Sequence, residues 1–235
     1  MKKKYIIVLI SVLSVLIFFS WQIHFFIKLE NANHLLISGI KENDTKVALH
    51  ALEAGANADA VDLGTNPTSL IDQIKLMFKE IMHDREYPYK DIHPTALSVL
   101  MDRRQEENLL TTPPENVTIL KALINKKANV NFRNMSGTTP LMLAALYDHE
   151  ESVKILIENG ADVNIKSNSG WNALIFAGGK MNILKMILDK NPNLNVIDNF
   201  GETVLDAGKD FFSEEAKKLL IKYGAKSTKE VLDRH

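Results

Sequence analysis

The side chains that could act as catalysts or metal ligands are few and scattered along the chain. There are seven histidines, and no cysteine stands among the 235 residues. His149 precedes Glu150 and Glu151, but no second histidine follows at the spacing of a metal site. The acidic pairs at 150–151 and 214–215 begin predicted helices, where carboxylates complement the helix dipole. Because the sequence also has no glycine-rich phosphate loop, His-Glu-x-x-His or Gly-x-Ser-x-Gly motif, we predict no enzyme, no metal site and no cofactor.

The charge balance and the lack of cysteine exclude further classes of function. Lysine and arginine number 28 against 29 aspartates and glutamates. Binding of a phosphate backbone needs a basic surplus on one face, so nucleic acid is not an expected partner. A chain without cysteine forms no disulfide, no thiolate metal site and no lipid-bearing cysteine anchor.

The elements that would position a functional side chain recur at a spacing of about 33 residues. Glycine and asparagine mark the period, at Gly137, Gly170 and Gly201 and at Asn131, Asn164 and Asn195. One complete period, residues 136–164, has the sequence SGTTPLMLAALYDHEESVKILIENGADVN. Thr139 and Pro140 are typical of a helix start. Gly160 is typical of the residue in the left-handed backbone conformation that ends a helix.

Residues 136–164 closely resemble the ankyrin-repeat consensus, in which Gly-x-Thr-Pro-Leu leads a short helix and a second helix ends in Gly-Ala-Asp-Val-Asn. The resemblance implies an all-α solenoid of about five helix-turn-helix units over residues 34–230. It also implies β-hairpin fingers at 131–138, 164–171 and 195–202. The terminal unit, from Phe200, has lysines on its second helix, which fits a polar outer face.

The resemblance to the consensus is incomplete after the Thr-Pro-Leu position. Where the ankyrin consensus has a histidine, this chain has Met142, Ile175 and Asp206. We therefore expect the usual hydrogen-bond network between repeats to be missing and the units to stack through more apolar contacts.

One stretch, residues 71–92, lies outside the repeat pattern. Its apolar residues recur at helical spacing, at Ile71, Ile74, Met77, Phe78 and Ile81. This predicts an inserted amphipathic helix followed by an aromatic, charged loop. Two interpretations remain open: the insertion packs on the solenoid, or it is a partner-specific element.

The N-terminus has the pattern of a membrane anchor. Lysines occupy positions 2–4, and residues 5–27 carry no charged side chain. As a helix this stretch spans about 35 Å, enough to cross a hydrocarbon core of about 30 Å. Large aromatic residues surround Ser20, which favours an uncleaved transmembrane helix over a cleaved secretory signal.

The charges around this helix predict its orientation. The positive-inside rule keeps residues 1–4 in the cytoplasm and exports residues 28–235. We expect a single-pass protein of a bacterial inner membrane, with most of the chain in the periplasm.

Aligning the three predicted fingers places large side chains where packing does not demand them. Trp171 aligns with Thr138 and Glu202, and Phe200 aligns with two serines. Aromatic residues dominate interface hot spots, so we predict a partner-binding patch around Trp171 and Phe200. The alternative is that Trp171 folds down over the adjacent repeat. The remaining predicted contact residues are Arg133, Met135, Lys166, Asn199 and Tyr147.

The resemblance implies a protein–protein interaction module. On an inner-membrane tether, one use is an immunity protein that captures a toxic effector, such as a lipase or a wall hydrolase, in the periplasm. The alternative is a scaffold for a resident envelope protein. The sequence does not indicate which oligomeric state the protein has.

Overall fold

The computed structural model describes residues 2–60, 95–101 and 114–233, with side chains from residue 17 onward except 19 and 26. All regular structure in these ranges is helical, and no β-strand occurs there. The helices are α1 (Lys2–Lys41), α2 (Thr45–Glu53), α3 (Ala96–Met101), α4 (Val117–Asn125), α5 (Pro140–Leu146), α6 (Glu150–Glu158), α7 (Ala173–Ala177), α8 (Met181–Leu188), α9 (Val204–Ala207), α10 (Glu214–Lys222) and α11 (Thr228–Leu232).

Successive helices form five pairs, from α1 with α2 to α9 with α10, and α11 follows the last pair. The first helices of consecutive pairs contact each other in a row from α1 through α3, α5 and α7 to α9. The second helices α2, α4, α6 and α8 form a parallel row behind them. This arrangement is the helical stack of about five units that the repeat pattern predicts.

The residues that the sequence predicts at a helix start and in the core occupy those places in the structure. The Thr139 hydroxyl accepts the Met142 N–H at 3.3 Å and caps α5, with Pro140 in the first turn. Leu141 is 1% exposed and Leu174 is fully buried. These leucines belong to an apolar core that runs through all five pairs without interruption.

The predicted β-hairpin fingers are hairpin turns instead of strand ladders. The Asn134 N–H donates to the Thr138 carbonyl at 3.0 Å, and the Asn134 Oδ1 accepts the N–H groups of Ser136 and Thr138. The side-chain oxygens of Ser167 and Asp198 do the same in the next two fingers. The prediction of strands is wrong because these oxygens occupy N–H groups that a strand ladder would need.

Hydrogen bonds also join neighbouring units, at a place other than the position of the consensus histidine. We call the loop after each second helix a tail. A side-chain oxygen in one tail accepts a backbone N–H of the next tail, at distances between 2.7 and 2.8 Å. The four bonds, acceptor first, join Asp59 to Asn129, Asn131 to Asp162, Asn164 to Asn193, and Asn195 to Lys226. The recurrent asparagine column thus links the units in addition to their apolar contacts.

The predicted insertion at 71–92 lies outside the described residues, so its two interpretations stay open. The helix predicted to cross a membrane, residues 5–27, falls within α1, which continues unbroken to Lys41. The side chains of residues 5–16 lie outside the described set. Among the residues that the structure does describe, no helix has the length and apolarity that a membrane crossing requires.

Two finger glycines allow a direct test of the finger stacking. Gly170 and Gly201 have similar positive φ angles, 85° and 82°. A Cβ on Gly170 would lie 2.8 Å from the Asn199 backbone nitrogen, whereas a Cβ on Gly201 meets nothing within 4 Å. We expect Gly201→Ala to cost about 1–2 kcal/mol for its left-handed backbone, and Gly170→Ala to cost at least about 1 kcal/mol more for overpacking. Urea unfolding measures both, and equal costs would contradict the stacking of these two fingers.

Candidate functional site

The structure brings most of the predicted contact residues to one edge, formed by the three fingers. Consecutive fingers are hydrogen-bonded tip to tip. The Asn168 N–H donates to the Ser136 carbonyl at 2.9 Å, and the Asn199 N–H donates to the Ser169 carbonyl at 3.2 Å. We call the outward surface of residues 133–136, 166–171 and 198–200 the fingertip surface.

Trp171 bridges the second and third fingers. Its indole Nε1–H donates to the Asp198 carboxylate at 2.9 Å. Its ring lies 6.2 Å from that of Phe176, edge to face, and 6.4 Å from that of Phe200. Trp171 is half-buried and packs against the core. Trp171 therefore contacts both the helix that follows its own finger and the next finger.

Phe200 and Met135 are the large apolar side chains that the fingertip surface exposes. Phe200 is 69% exposed and Met135 is 67% exposed. Each backbone is held firmly, because the Phe200 N–H donates to Asp198 at 2.8 Å and the Met135 carbonyl accepts the Asn168 amide at 2.7 Å. Rigid presentation of apolar side chains to solvent is typical of binding surfaces, since little conformational entropy is lost when a partner covers them.

Arg133 and Asn199 lie on the same surface, and both also join fingers. The Arg133 guanidinium donates to the Gly137 carbonyl at 3.4 Å and to the Asn168 side chain at 3.3 Å. The Asn199 amide donates to the Asn168 carbonyl at 2.7 Å. Both side chains remain exposed, so they form a polar rim beside the apolar residues.

Lys166 lies at the base of the second finger, beside an open cleft. Its ammonium donates to the Ile197 carbonyl at 3.2 Å. The cleft has a volume of about 450 Å³ and is lined by Asn164, Lys166, Asn172, Asn191, Asn193 and Val196. Its asparagine amides and single ammonium make it a polar extension of the fingertip surface.

Tyr147 is not brought together with the other predicted residues. It follows the last residue of α5, and the first finger precedes the first residue of that helix. The seven residues of α5 separate the two by about 10 Å along the helix axis. The Tyr147 ring lies near His149, 6.0 Å away, in the turn between α5 and α6.

Asn168 and Asp198 are the organising residues of this surface that the sequence prediction missed. Asn168 contacts both neighbouring fingers, and Asp198 binds the Trp171 indole and two backbone N–H groups. A signal existed for each: Asn168 aligns with Asn199, and Asp198 aligns with Asn134. Both are small polar residues, whereas the predicted patch rests on large side chains.

Asp206 is the one carboxyl whose contacts join the last helix pair to α11. It accepts the Thr228 backbone N–H and the Thr203 hydroxyl. Partial burial acts to raise the pKa of this carboxyl. The bonds from Thr228 and Thr203 and the charge of Lys209 outweigh burial and hold the pKa below its usual range.

No group of three or more histidine, aspartate or glutamate side chains in the described part of the chain is placed to hold a metal ion. The fingers combine exposed apolar side chains, a polar rim and a backbone fixed by hydrogen bonds, which are features of a binding surface.

Comparison with known proteins identifies the repeat. Residues 114–167, which include α4, α5, α6 and the first finger, match the family model described as ankyrin repeats (3 copies). These residues are therefore similar to ankyrin repeats. The ankyrin repeat protein L371 of Acanthamoeba polyphaga mimivirus is 27% identical over 212 residues, 87% of this chain. The similarity to L371 thus covers residues on both sides of the segment that matches the family model.

Two viral ankyrin repeat proteins are similar over shorter stretches. Protein FPV230 of fowlpox virus is 27% identical over 60% of this chain and 72% of its own length. Ankyrin repeat protein 14 of vaccinia virus is 36% identical over 32% of this chain and 33% of its own length. This chain spans 27% of the length of L371. The ankyrin family is in general a family of protein-interaction modules without enzymatic activity.

Asp206 gives the helical stack a predictable dependence of its stability on pH. Since its folded pKa is lowered, its contribution to stability is fully present above the ordinary carboxyl pKa of about 4. It is lost as the pH falls through the folded pKa. The melting temperature of Asp206→Asn should therefore lie below wild type at pH 7, and the difference should shrink below about pH 4. A difference that stays constant from pH 7 to pH 3 would contradict the assignment.

Proposed function

We propose that this chain is a membrane-tethered ankyrin-repeat protein that binds a protein partner through its fingertip surface. The exposure of Phe200 and Met135, at 69% and 67%, carries the proposal. Both side chains are on fingers whose backbones are fixed by hydrogen bonds to the neighbouring finger or to Asp198.

The composition of the fingertip surface supports a protein as the occupant. Exposed aromatic and methionine side chains beside an arginine and an asparagine are the residue types that protein interfaces favour. Both signs of charge are present: Arg133 is exposed on the first finger, and Lys166 lines a cleft with Asp198 and Glu202. A mixed surface of this kind gives no electrostatic preference for nucleic acid.

Trp171 and Phe200 have different roles in this proposal. Phe200 is the side chain that a partner covers, because most of its surface is exposed. Trp171 packs beside Phe200, with the two ring centroids 6.4 Å apart, and its indole N–H donates to Asp198. Loss of Trp171 therefore affects both stability and binding, whereas loss of Phe200 affects binding alone.

The tether rests on the uncharged stretch at 5–27 and the lysines that precede it. In a bacterial inner membrane this orientation exports the ankyrin units to the periplasm. There the most consistent use is an immunity protein that captures a toxic effector, such as a lipase or a wall hydrolase, before the effector reaches its target. A toxin gene adjacent to the gene of this chain supports that use, and a resident envelope protein as the partner supports a scaffold.

The proposal is tested by placing a photo-crosslinking amino acid at Phe200 in the full-length protein in its host. Phe211 is the control position, since it is 57% exposed but lies in the turn between α9 and α10, at the end of the helix pair opposite to the fingers. We expect Phe200 to crosslink one protein that Phe211 does not. Purified with that protein, Phe200→Ser should bind at least ten-fold more weakly, about 1.4 kcal/mol, at an unchanged melting temperature. Equal crosslinking at both positions, or unchanged affinity of Phe200→Ser, would contradict the fingertip surface as the binding site.

A further inference from the structure

The two ends of the helix pairs differ, and the fingers lie at one of them. One end carries the turns between paired helices, at 42–44, 147–149, 178–180 and 208–213. The opposite end carries the tails and the fingers, since each finger leads from a tail to the next first helix. We call these the turn end and the finger end. The bonds from tail to tail and from finger to finger keep all finger ends on the same side of the stack.

Helix α1 leaves the stack through the finger end. Its C-terminal part forms the first unit, with Ala32 and Leu36 buried in the core. The Asn33 side chain accepts the N–H of Asn57, in the first tail, at 2.7 Å. Because the turn at 42–44 lies at the other end of the same helix pair, everything N-terminal to about residue 31 projects from the finger end.

The projecting part of α1 exposes large apolar side chains. Ile17, Phe18, Trp21 and Phe25 are each more than half exposed. They belong to the uncharged stretch that ends at residue 27, six residues before Asn33. At 1.5 Å per residue, about 9 Å of continuous helix separates the end of that stretch from the first tail. This distance is similar to the thickness of a lipid headgroup layer, about 5–8 Å.

We infer that the fingertip surface faces the bilayer that holds α1, so that the protein partner is bound where it lies on or emerges from that same membrane. The inference rests on the proposed tether and specifies the partner class of the proposed function. The unbroken helix and the bonded tails provide the geometry, because no flexible linker separates the apolar stretch from the first unit. Met135 and Phe200 then project near the lipid–water interface, an environment that suits methionine and aromatic side chains.

The chain has no cysteine, so single thiols can be placed without removing any. Two matched pairs of full-length variants compare the ends within one unit each. Met135→Cys and Glu151→Cys lie in the third unit, and Phe200→Cys and Asp210→Cys lie in the fifth. Each variant, labelled with an environment-sensitive fluorophore, is reconstituted into vesicles of phosphatidylcholine and phosphatidylglycerol. Part of the lipid carries a nitroxide on its headgroup as a short-range quencher.

We expect the labels at Met135→Cys and Phe200→Cys to be quenched at least about two-fold more than the matched labels at Glu151→Cys and Asp210→Cys. Equal quenching within both pairs, or stronger quenching at Glu151→Cys and Asp210→Cys, would overturn the inference. Flotation with the vesicles and resistance to alkaline carbonate are measured first. Failure of these would overturn the tether itself, which separates that result from a wrong orientation. A melting temperature equal to wild type shows that each label leaves the fold intact.

Discussion

A side-chain oxygen in each tail accepts a backbone N–H of the next tail, and this bond recurs from the first unit to the last at nearly constant length. The apolar core alone would allow neighbouring units to slide or rotate, because apolar contacts have no direction. A short, directed bond at the end of every helix pair fixes the spacing and register of the stack. The finger contacts depend on that register, since Asn168 and Asn199 reach the preceding finger only if the tails below them are aligned.

The register of the units could be predicted from the sequence, but the way they are joined could not. Gly137, Thr139 and Pro140 have strong local requirements, so residue type alone locates the turn and the helix start. The finger oxygen is supplied by asparagine, serine and aspartate in successive units, and three residue types in one column conceal a shared role. The asparagine column was visible, but its bond to the next tail becomes apparent only when two units are placed side by side.

The fingertip surface shows the same division between local and tertiary information. The exposure of Phe200 follows from its place in a turn, where Trp171 lies beside its ring and most of its surface stays uncovered. The half-burial of Trp171 depends on Asp198, 27 positions further along the chain, and on the angle between two fingers. The sequence predicts Tyr147 as a contact residue together with the fingers because it ends a first helix. The length of α5, however, places Tyr147 at the end of that helix opposite to the finger. A stack fixed in this way gives the fingers and α1 a defined geometry with respect to each other, which a flexible array would not.

Amide hydrogen exchange tests the central claim, that the tail-to-tail bonds hold the stack, most directly. The donor amides of Asp162, Asn193 and Lys226 lie in tails on the surface, where unbonded amides exchange quickly. If the tail-to-tail bonds hold the stack, all three amides exchange slowly. We also expect Asn164→Ala, which removes one acceptor, to speed exchange at the Asn193 amide by at least ten-fold while the Asp162 amide stays protected. Fast exchange at all three amides in the wild-type chain, or no change at Asn193 in the variant, would contradict the account.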